Sequence, residues 1–390
     1  MRRSLSAVAL AAACAVGLAA CGSSGSDGGS GSGGDSVTVA ALTSLTGANA
    51  STGTQWMAGF KLGLDYFTNG SMEVNGVKIN LVESDDQSDA NAAMANATDL
   101  VSKGATIIAG TQSSDIALGL ADFAAQNKVL YIVGDANTDD VTARNEYTFR
   151  DNRQAIDDIE AIKVLLGDAA QGKKMGFIAS NIEYGKGLVA NTEAAFKDIA
   201  SGFSEVWTPF PADDMAPYVQ KIKEQNPDIL IPYVSGDVGP LYQNLLQQNM
   251  FANRTTVSLI GTRETWPDYA QVPASDKFEL YAPYFEGAVD NDLANYLDQN
   301  AKNVDYTTAD GFNGAQMVVH ALEGGTNVDD MISQLEGWKF TSARGDAEIR
   351  ASDHAFLAPM YTFHFENGSP VLDQTLSADE VAPPEKQMAQ

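Results

Sequence analysis

The chain has 390 residues, with 24 Lys and Arg against 51 Asp and Glu, a formal charge of −27. That length allows two or three domain-sized units, and 44% hydrophobic residues suffice for a proper core. Such an acidic field excludes nucleic acid as a partner and otherwise reads as a solubilised surface; attraction of a cationic ligand is the sharper alternative.

Met1-Arg2-Arg3 is a short positive region, and Leu5 to Leu18 is apolar but too short to span a bilayer. Residues 1–20 therefore read as a signal peptide. Leu18-Ala19-Ala20-Cys21 resembles the lipobox of bacterial lipoproteins, which implies lipidation of Cys21 after cleavage; a plain signal peptide is the alternative. Residues 21–35 continue as a Gly/Ser tether. The only other cysteine, Cys14, leaves with the signal, so the mature chain holds no disulfide.

Val37 to Leu42 reads as a buried strand, followed by a polar loop to Gly53 and a helix over about Thr54–Phe67, stopped by Asn69-Gly70. Val77–Glu83 is a second strand, and a helix follows near Asp89–Lys103. Thr106–Ala109 is a third strand. It turns on Gly110 and offers Gln112, Ser113 and Ser114 where a helix to about Gln126 begins. The free N–H groups of a helix start seat an anion. Val129–Val133 is a fourth strand, ending in Gly134-Asp135-Ala136-Asn137-Thr138. Strand and helix alternate four times, the pattern of a parallel sheet covered on both faces.

After Tyr147–Asp151 the alternation restarts. Helices are expected near Gln154–Leu166, Lys186–Ile199, Ala216–Gln225 and Pro240–Met250. Strands are expected at Met175–Ala179, Glu205–Thr208, Asp228–Tyr233 and Val257–Ile260. Beyond an aromatic strand at Lys277–Phe285 come helices near Asp290–Ala301, Thr308–Leu322 and Val328–Glu336. Two closing strands lie near Ala347–Arg350 and Met360–Phe365. An acidic tail from about Ser377 reads as poorly ordered.

Four stretches carry a family resemblance: Leu45-Thr46-Gly47 with Gly53, Gly110 to Ser114, Glu183-Tyr184-Gly185-Lys186-Gly187, and Asp353-His354-Ala355 with Pro359-Met360-Tyr361. In this order the chain resembles the type I periplasmic binding proteins, in the leucine/isoleucine/valine-binding family of ABC importers. The resemblance implies an α/β fold with two doubly wound parallel-sheet lobes joined by a three-strand hinge. Lobe one is then residues 36–148 plus 286–357, lobe two is 152–280 plus 363–376, and 377–390 is a tail. It further implies a monomer that takes an amino acid or related small polar molecule, needs no cofactor, and delivers its ligand to an ABC permease. The place is the outer face of the bacterial cytoplasmic membrane, with Cys21 as the anchor.

Laid on this sequence, the resemblance makes Ser114 the seat of a ligand carboxylate, with Ser113 beside it. Asp135 and Asn137, with Thr138 next to them, fall in the following turn. Thr52 falls on a cleft position of the first turn, Tyr184 closes from lobe two, Asp237 lies in a lobe-two turn, and Arg263 or Glu264 falls near the ammonium-reading position. Phe312 falls on an aromatic lid. Each has a plainer alternative: Ser113-Ser114 as an N-cap, Tyr184 as a surface turn, Phe312 as core, and Asp135 as a cap or an ion-pair partner. Trp266 is either a cleft wall or interdomain packing, and Arg150 braces the hinge. Thr52, Asn137, Asp135 and Arg263 depart from the family pattern, so branched-chain ligands do not follow. A sensor module of the same fold and a dehydrogenase are the other classes considered. Against the second, the glycine motif at Gly29–Gly34 lies in the tether rather than between strand and helix. His320, His354 and His364 lack metal-ligand spacing.

Overall fold

A computed structural model describes residues 35–273 and 276–389; the expected signal peptide, Cys21 and most of the tether lie outside the described residues. The first sheet has the order β2-β3-β1-β4-β5-β6. Its strands are β1 (Ser36–Thr43), β2 (Glu73–Val74), β3 (Val77–Asp85), β4 (Ala105–Gly110), β5 (Leu130–Val133) and β6 (Thr148–Arg150). All its pairs are parallel except β2–β3. Helices α1 (Ala50–Phe67), α2 (Ala90–Ser102) and α3 (Ser114–Asn127) supply the crossovers.

The second half runs α4 (Ala155–Leu166), β7 (Lys174–Ser180), α5 (Glu183–Phe196), β8 (Gly202–Thr208), α6 (Ala216–Gln225), β9 (Ile229–Tyr233), α7 (Gly239–Gln247), β10 (Thr255–Leu259), α8 (Trp266–Tyr269) and β11 (Lys277–Ala282). Then come α9 (Asp292–Asn300), α10 (Tyr306–Gly324), α11 (Val328–Leu335), the small sheet β12 (Lys339–Ser342), β13 (Gly345–Ile349) and β14 (Phe356–Leu357), and finally β15 (Met360–Glu366), β16 (Ser369–Leu376) and α12 (Ala378–Val381). The second sheet has the order β16-β15-β11-β10-β9-β7-β8. Its β7–β11 core is parallel, while β15 and β16 join antiparallel. The inner strands β1, β4, β5, β7 and β9 are mostly apolar runs buried on both faces, as helix-covered parallel sheets require. The chain passes from the first sheet to the second after β6, leaves it after β11, and returns after β14. Ala347, Ile349 and Phe356 of the small sheet join the first sheet's core. We call each sheet with its covering helices a lobe.

Helix α10 crosses α1 at backbone contact. A Cβ on Gly311 would lie 2.0 Å from the Trp56 carbonyl oxygen, and one on Gly59 would lie 1.9 Å from that of Thr308. Glycine is therefore a requirement of the crossing.

Four strands, β2, β12, β14 and β16, escape the sequence patterning. β2 and β3 form a hairpin on Asn75-Gly76, both at positive φ. β16 is a largely exposed edge strand containing Pro370, and β12 pairs with β13 through the turn at Gly345. The expectation of a poorly ordered tail is corrected. Ser377 and Glu380 form a capping box on α12. Beyond it, the Arg350 guanidinium donates to the Pro383 carbonyl at 3.0 Å, the Lys386 backbone N–H donates to Asp353 at 3.0 Å, and the Ala389 N–H donates to the Ala143 carbonyl at 2.8 Å.

Burial raises two carboxyls at element starts. Asp157 is pushed up to about 8, against the opposing Gln154 N–H and Arg150 charge. Asp305 is pushed up to about 7, against the N–H groups of Thr308 and Arg263. An unfolded carboxyl titrates near 4, so between that value and the raised one the folded chain holds a proton that the unfolded chain has lost. Stability therefore falls as pH rises through about 4 to 8, by up to about 1.4 kcal/mol per pH unit for each such group. Asp157→Asn keeps the acceptor for the Gln154 N–H and removes the titration. Its urea midpoint is expected to change less between pH 5 and pH 8 than that of the parent; an equal change would show that Asp157 does not carry the slope.

Candidate functional site

A cavity of about 210 Å³ lies where the carboxyl ends of strands from the two sheets face each other, the place where open α/β sheets put ligands. It falls below the usual range of about 300–1,000 Å³ for drug-sized pockets, so it suits a small metabolite.

The lobe-one side is organised by buried Asp86. One carboxylate oxygen accepts from the Ser44 hydroxyl at 2.6 Å and the Ser88 N–H at 2.8 Å, and the other accepts from the Thr111 hydroxyl at 2.7 Å. One side chain thus ties the turns after β1, β3 and β4. Gly110 sits at φ 122°, and a Cβ there would lie 2.3 Å from the Leu42 carbonyl oxygen. Only glycine lets the chain turn so close to β1. Gln112 accepts from the Thr43 hydroxyl at 2.6 Å. The Ser113 hydroxyl caps α3 by accepting from the Ile116 N–H at 3.4 Å. Ser114 is buried and lines the cavity. Among the described residues its hydroxyl and N–H, and the N–H of Asp115, have no partner. The cap and the unpaired donors therefore sit on adjacent residues at the start of α3.

The next turn brings in Asp135 and Asn137. The Asn152 amide donates to the Asn137 side-chain oxygen at 2.8 Å, which leaves the Asn137 amide nitrogen for the cavity. Asp135 lines the wall, and its Oδ2 accepts from the Thr307 hydroxyl at 3.4 Å. Burial, and then the charge of Asp310, raise it well above the usual carboxyl range against the pull of Arg153. Thr52 lines the same wall, with its hydroxyl donating to the Asn49 carbonyl at 2.9 Å. From lobe two, Tyr184 in the first turn of α5 faces them, and burial raises its hydroxyl pKa. Ser113, Ser114, Asp135, Asn137, Thr52 and Tyr184 are thus brought to one cavity.

Four expected positions are not. Phe312 is fully buried and packs on Phe67 at 5.1 Å between ring centres, so it is core rather than lid. Thr138 turns away to cap a short 3₁₀ turn, accepting from the Asp140 N–H at 3.3 Å. Asp237 accepts from the Gly239 N–H at 2.9 Å, while its neighbours Gly236 and Val238 reach the cavity wall. Glu264 lies outside the wall and accepts from the Gln55 amide at 3.3 Å, an exposed contact between the lobes. Nearby, Arg263 pairs with Glu286 and lies over Trp266, 4.4 Å from its ring centre. Trp266 is buried in the lobe-two core. A further contact between the lobes is made by the Asn191 amide, which donates to Asp139 at 2.5 Å.

Arg153, Tyr306, Tyr242 and Tyr269 line the cavity without having been singled out from sequence. The tyrosines sit at helical spacings that read equally as core. Arg153 had a signal: it stands just before Gln154, the N-cap of α4, whose first turn and a half holds Asp157 and Asp158. Its Nε donates to Asp158 at 2.7 Å, and its Nη1 lies 3.8 Å from Asp135. Burial works to lower its pKa, but the carboxylates of Asp158 and Asp135 outweigh that and raise it. Among the described residues the cavity wall contains no His, Lys or Cys, and no cluster of His, Cys, Asp and Glu is arranged for a metal ion. The wall offers hydrogen bonds, a guanidinium beside a buried carboxyl, and aromatic faces, which is equipment for holding a molecule.

A sequence-family description of periplasmic binding proteins matches residues 36–370. The chain is 28% identical over 202 residues to a Leu/Ile/Val-binding protein homologue of Brucella melitensis and 27% identical over 240 residues to a Leu/Ile/Val-binding protein of Rhizobium johnstonii. Those alignments cover 50% and 59% of this chain, and the chain spans only 53% and 62% of the length of those relatives. Among solved structures, a branched-chain amino acid ABC transporter protein of Rhodopseudomonas palustris CGA009 shares the fold at TM-score 0.72 and 25% identity, over 90% of this chain and 99% of that one. A solute-binding protein of R. palustris BisB5, in complex with 3,4-dihydroxybenzoic acid, shares it at TM-score 0.77 and 22% identity, over 88% and 98%. With two parallel-dominated sheets, three passages between them and a cavity at the strand ends, the chain belongs to the type I periplasmic binding protein family, in the group that includes the Leu/Ile/Val-binding proteins.

Proposed function

We propose that this chain is a lipid-anchored, extracytoplasmic solute-binding protein of an ABC importer, capturing an amino acid or a related small polar carboxylate. The observation that carries the proposal is the open hydroxyl and N–H of Ser114 at the start of α3, facing Tyr184 across a small cavity between two lobes. A carboxylate fits those donors, and the helix start favours its charge. The BisB5 protein's dihydroxybenzoic acid is likewise a carboxylate. Residues 36–148 plus 286–357 would close on residues 152–280 plus 363–376 by bending at the three passages. Closure puts Tyr184 on the ligand and forms the surface an ABC permease would recognise. The protein would act as a monomer, use no cofactor and catalyse no reaction, a role that a wall lacking His, Lys and Cys suits. Cys21 would hold it on the outer face of the cytoplasmic membrane, and incorporation of labelled fatty acid should vanish in Cys21→Ser.

A thermal-shift screen of amino acids, amides and small aromatic acids tests the capture role. A ligand at a hundredfold its dissociation constant should stabilise the protein by about 2.7 kcal/mol. Ser114→Ala combined with Tyr184→Ala should erase that gain and leave the unliganded melting curve close to the parent's. A gain retained in the double variant would move the ligand out of this cavity.

A further inference from the structure

The same cavity also offers a place for a second polar group. Arg153 and Asp135 are both more than nine-tenths buried and both line the wall. The guanidinium spends only Nε, on Asp158. Among the described residues its Nη1 and Nη2 make no hydrogen bond, and neither does the Oδ1 of Asp135, which faces Nη1 only as an ion pair at 3.8 Å. Arg150, three residues earlier and equally buried, has all three of its nitrogens engaged. The open groups at Arg153 are therefore a feature of the cavity and not a general property of this crossing. Buried polar groups left without partners are rare and costly, and unmade bonds in a cleft discriminate strongly between ligands.

We propose that the ligand carries, besides its carboxylate, a primary carboxamide whose carbonyl oxygen accepts from Arg153 and whose N–H donates to Asp135. This rests on the cleft being the ligand site. The alternatives fit worse. A hydrocarbon group, as in a branched-chain amino acid, would seal two donors and an acceptor without partners. A second carboxylate would be the third acidic group, after Asp158 and Asp135, around one guanidinium. An ammonium would answer Asp135 but repel Arg153. A carboxamide supplies acceptor and donor side by side and adds no charge. The Tyr306 ring, 5.2 Å from the guanidinium carbon, holds the plane of the Arg153 head.

Titration calorimetry on the full chain, with L-glutamine, L-asparagine, L-glutamate, L-leucine and benzoate as probes, decides it. One of the two amide probes should bind at least about tenfold more tightly than the other three. Asp135→Asn is nearly isosteric and offers a donor where the parent has an acceptor. It should weaken the amide probe by at least about tenfold and move the preference toward L-glutamate. Replacing the three together, Arg153→Met with Asp158→Leu and Asp135→Asn, should move it toward L-leucine without leaving a lone buried charge. Tight binding of leucine, benzoate or glutamate by the parent, lost in Ser114→Ala, would overturn the carboxamide and keep the cleft as the site. Binding by none of the five, or binding insensitive to Ser114→Ala, would overturn the cleft as the ligand site and the carboxamide with it.

Discussion

Arg150→Met is expected to cost about 3–5 kcal/mol of stability and to weaken ligand capture. Arg150 is 1% exposed and lies at the first passage between the lobes. Its Nη2 donates to the carbonyls of Ala136 and Arg153, both at 2.9 Å. Its Nη1 donates to the Thr142 hydroxyl at 2.8 Å and the Thr138 carbonyl at 3.2 Å. Its Nε donates to the Asn152 side chain at 3.3 Å. Burial lowers its pKa, and the charges of Asp157, Asp139 and Asp151 resist that. Methionine fills part of the space but leaves several buried oxygens without donors, each worth about 1–3 kcal/mol. Removing one member of a buried charged network costs about as much as the total given above. The Ala136 carbonyl lies between Asp135 and Asn137, so the same substitution releases the turn that carries both cavity residues. Lysine would keep the charge but not the planar fork that reaches carbonyls on two sides. Urea unfolding of Arg150→Met and Arg150→Lys, with ligand affinity measured on each, checks both parts. A loss under about 1 kcal/mol with unchanged affinity would show that the network neither braces the passage nor holds the turn.

The comparison of Arg150 with Arg153 marks how far the sequence could be read. Arg150 was legible as a brace because it ends an extended piece at a crossing. Arg153 was not, because its role depends on which N–H groups remain unpaired, and that is decided by side chains from α4, the turn after β5, and α10 together. The alternating strands and helices were legible from apolar runs and turn residues, and Gly110 to Ser114 from its strand-turn-helix order. What failed were placements that hang on one rotation of a helix. Phe312 lies on α10 as expected, yet its ring points to Phe67 and not to the cleft. Thr138 and Asp237 lie in the right turns, but each was taken up by a local N–H. The tail failed for another reason. Its composition resembles disorder, and the bonds that hold it come from Arg350, Asp353 and Ala143, which no local pattern reveals.

Gly311→Val is expected to destabilise the protein by about 3 kcal/mol or more, because α10 and α1 touch through backbone. A Cβ at Gly311 would meet the Trp56 carbonyl oxygen at 2.0 Å and the Phe60 nitrogen at 2.9 Å. These are main-chain atoms within a helix, so no side-chain rotation relieves the contact. The helices would have to separate, which loosens fully buried Trp56 and Phe60, stacked at 4.8 Å, and unseats the Trp56 N–H from Asp151, to which it donates at 3.0 Å. Two opposing terms set the sign. A glycine inside a helix forfeits about 1 kcal/mol of helix propensity relative to alanine, whereas overpacking a close-packed site costs about 1–3 kcal/mol and more for a larger side chain. At Gly311 the clash dominates, and already Gly311→Ala should be destabilising. At Gly187 in α5 a Cβ meets nothing within 4 Å, so Gly187→Ala should be neutral or gain up to about 1 kcal/mol. Denaturant midpoints for the three variants separate the terms. If Gly311→Ala proved as stable as the parent, α10 would be free to move away from α1. Because the turn before α10 carries Asp305 and the helix begins with Tyr306 on the cavity wall, that freedom would reach the binding site. The close crossing instead fixes Tyr306 beside Arg153, so a loss of stability at Gly311 should be accompanied by weaker ligand binding, with Gly187→Ala unchanged in both.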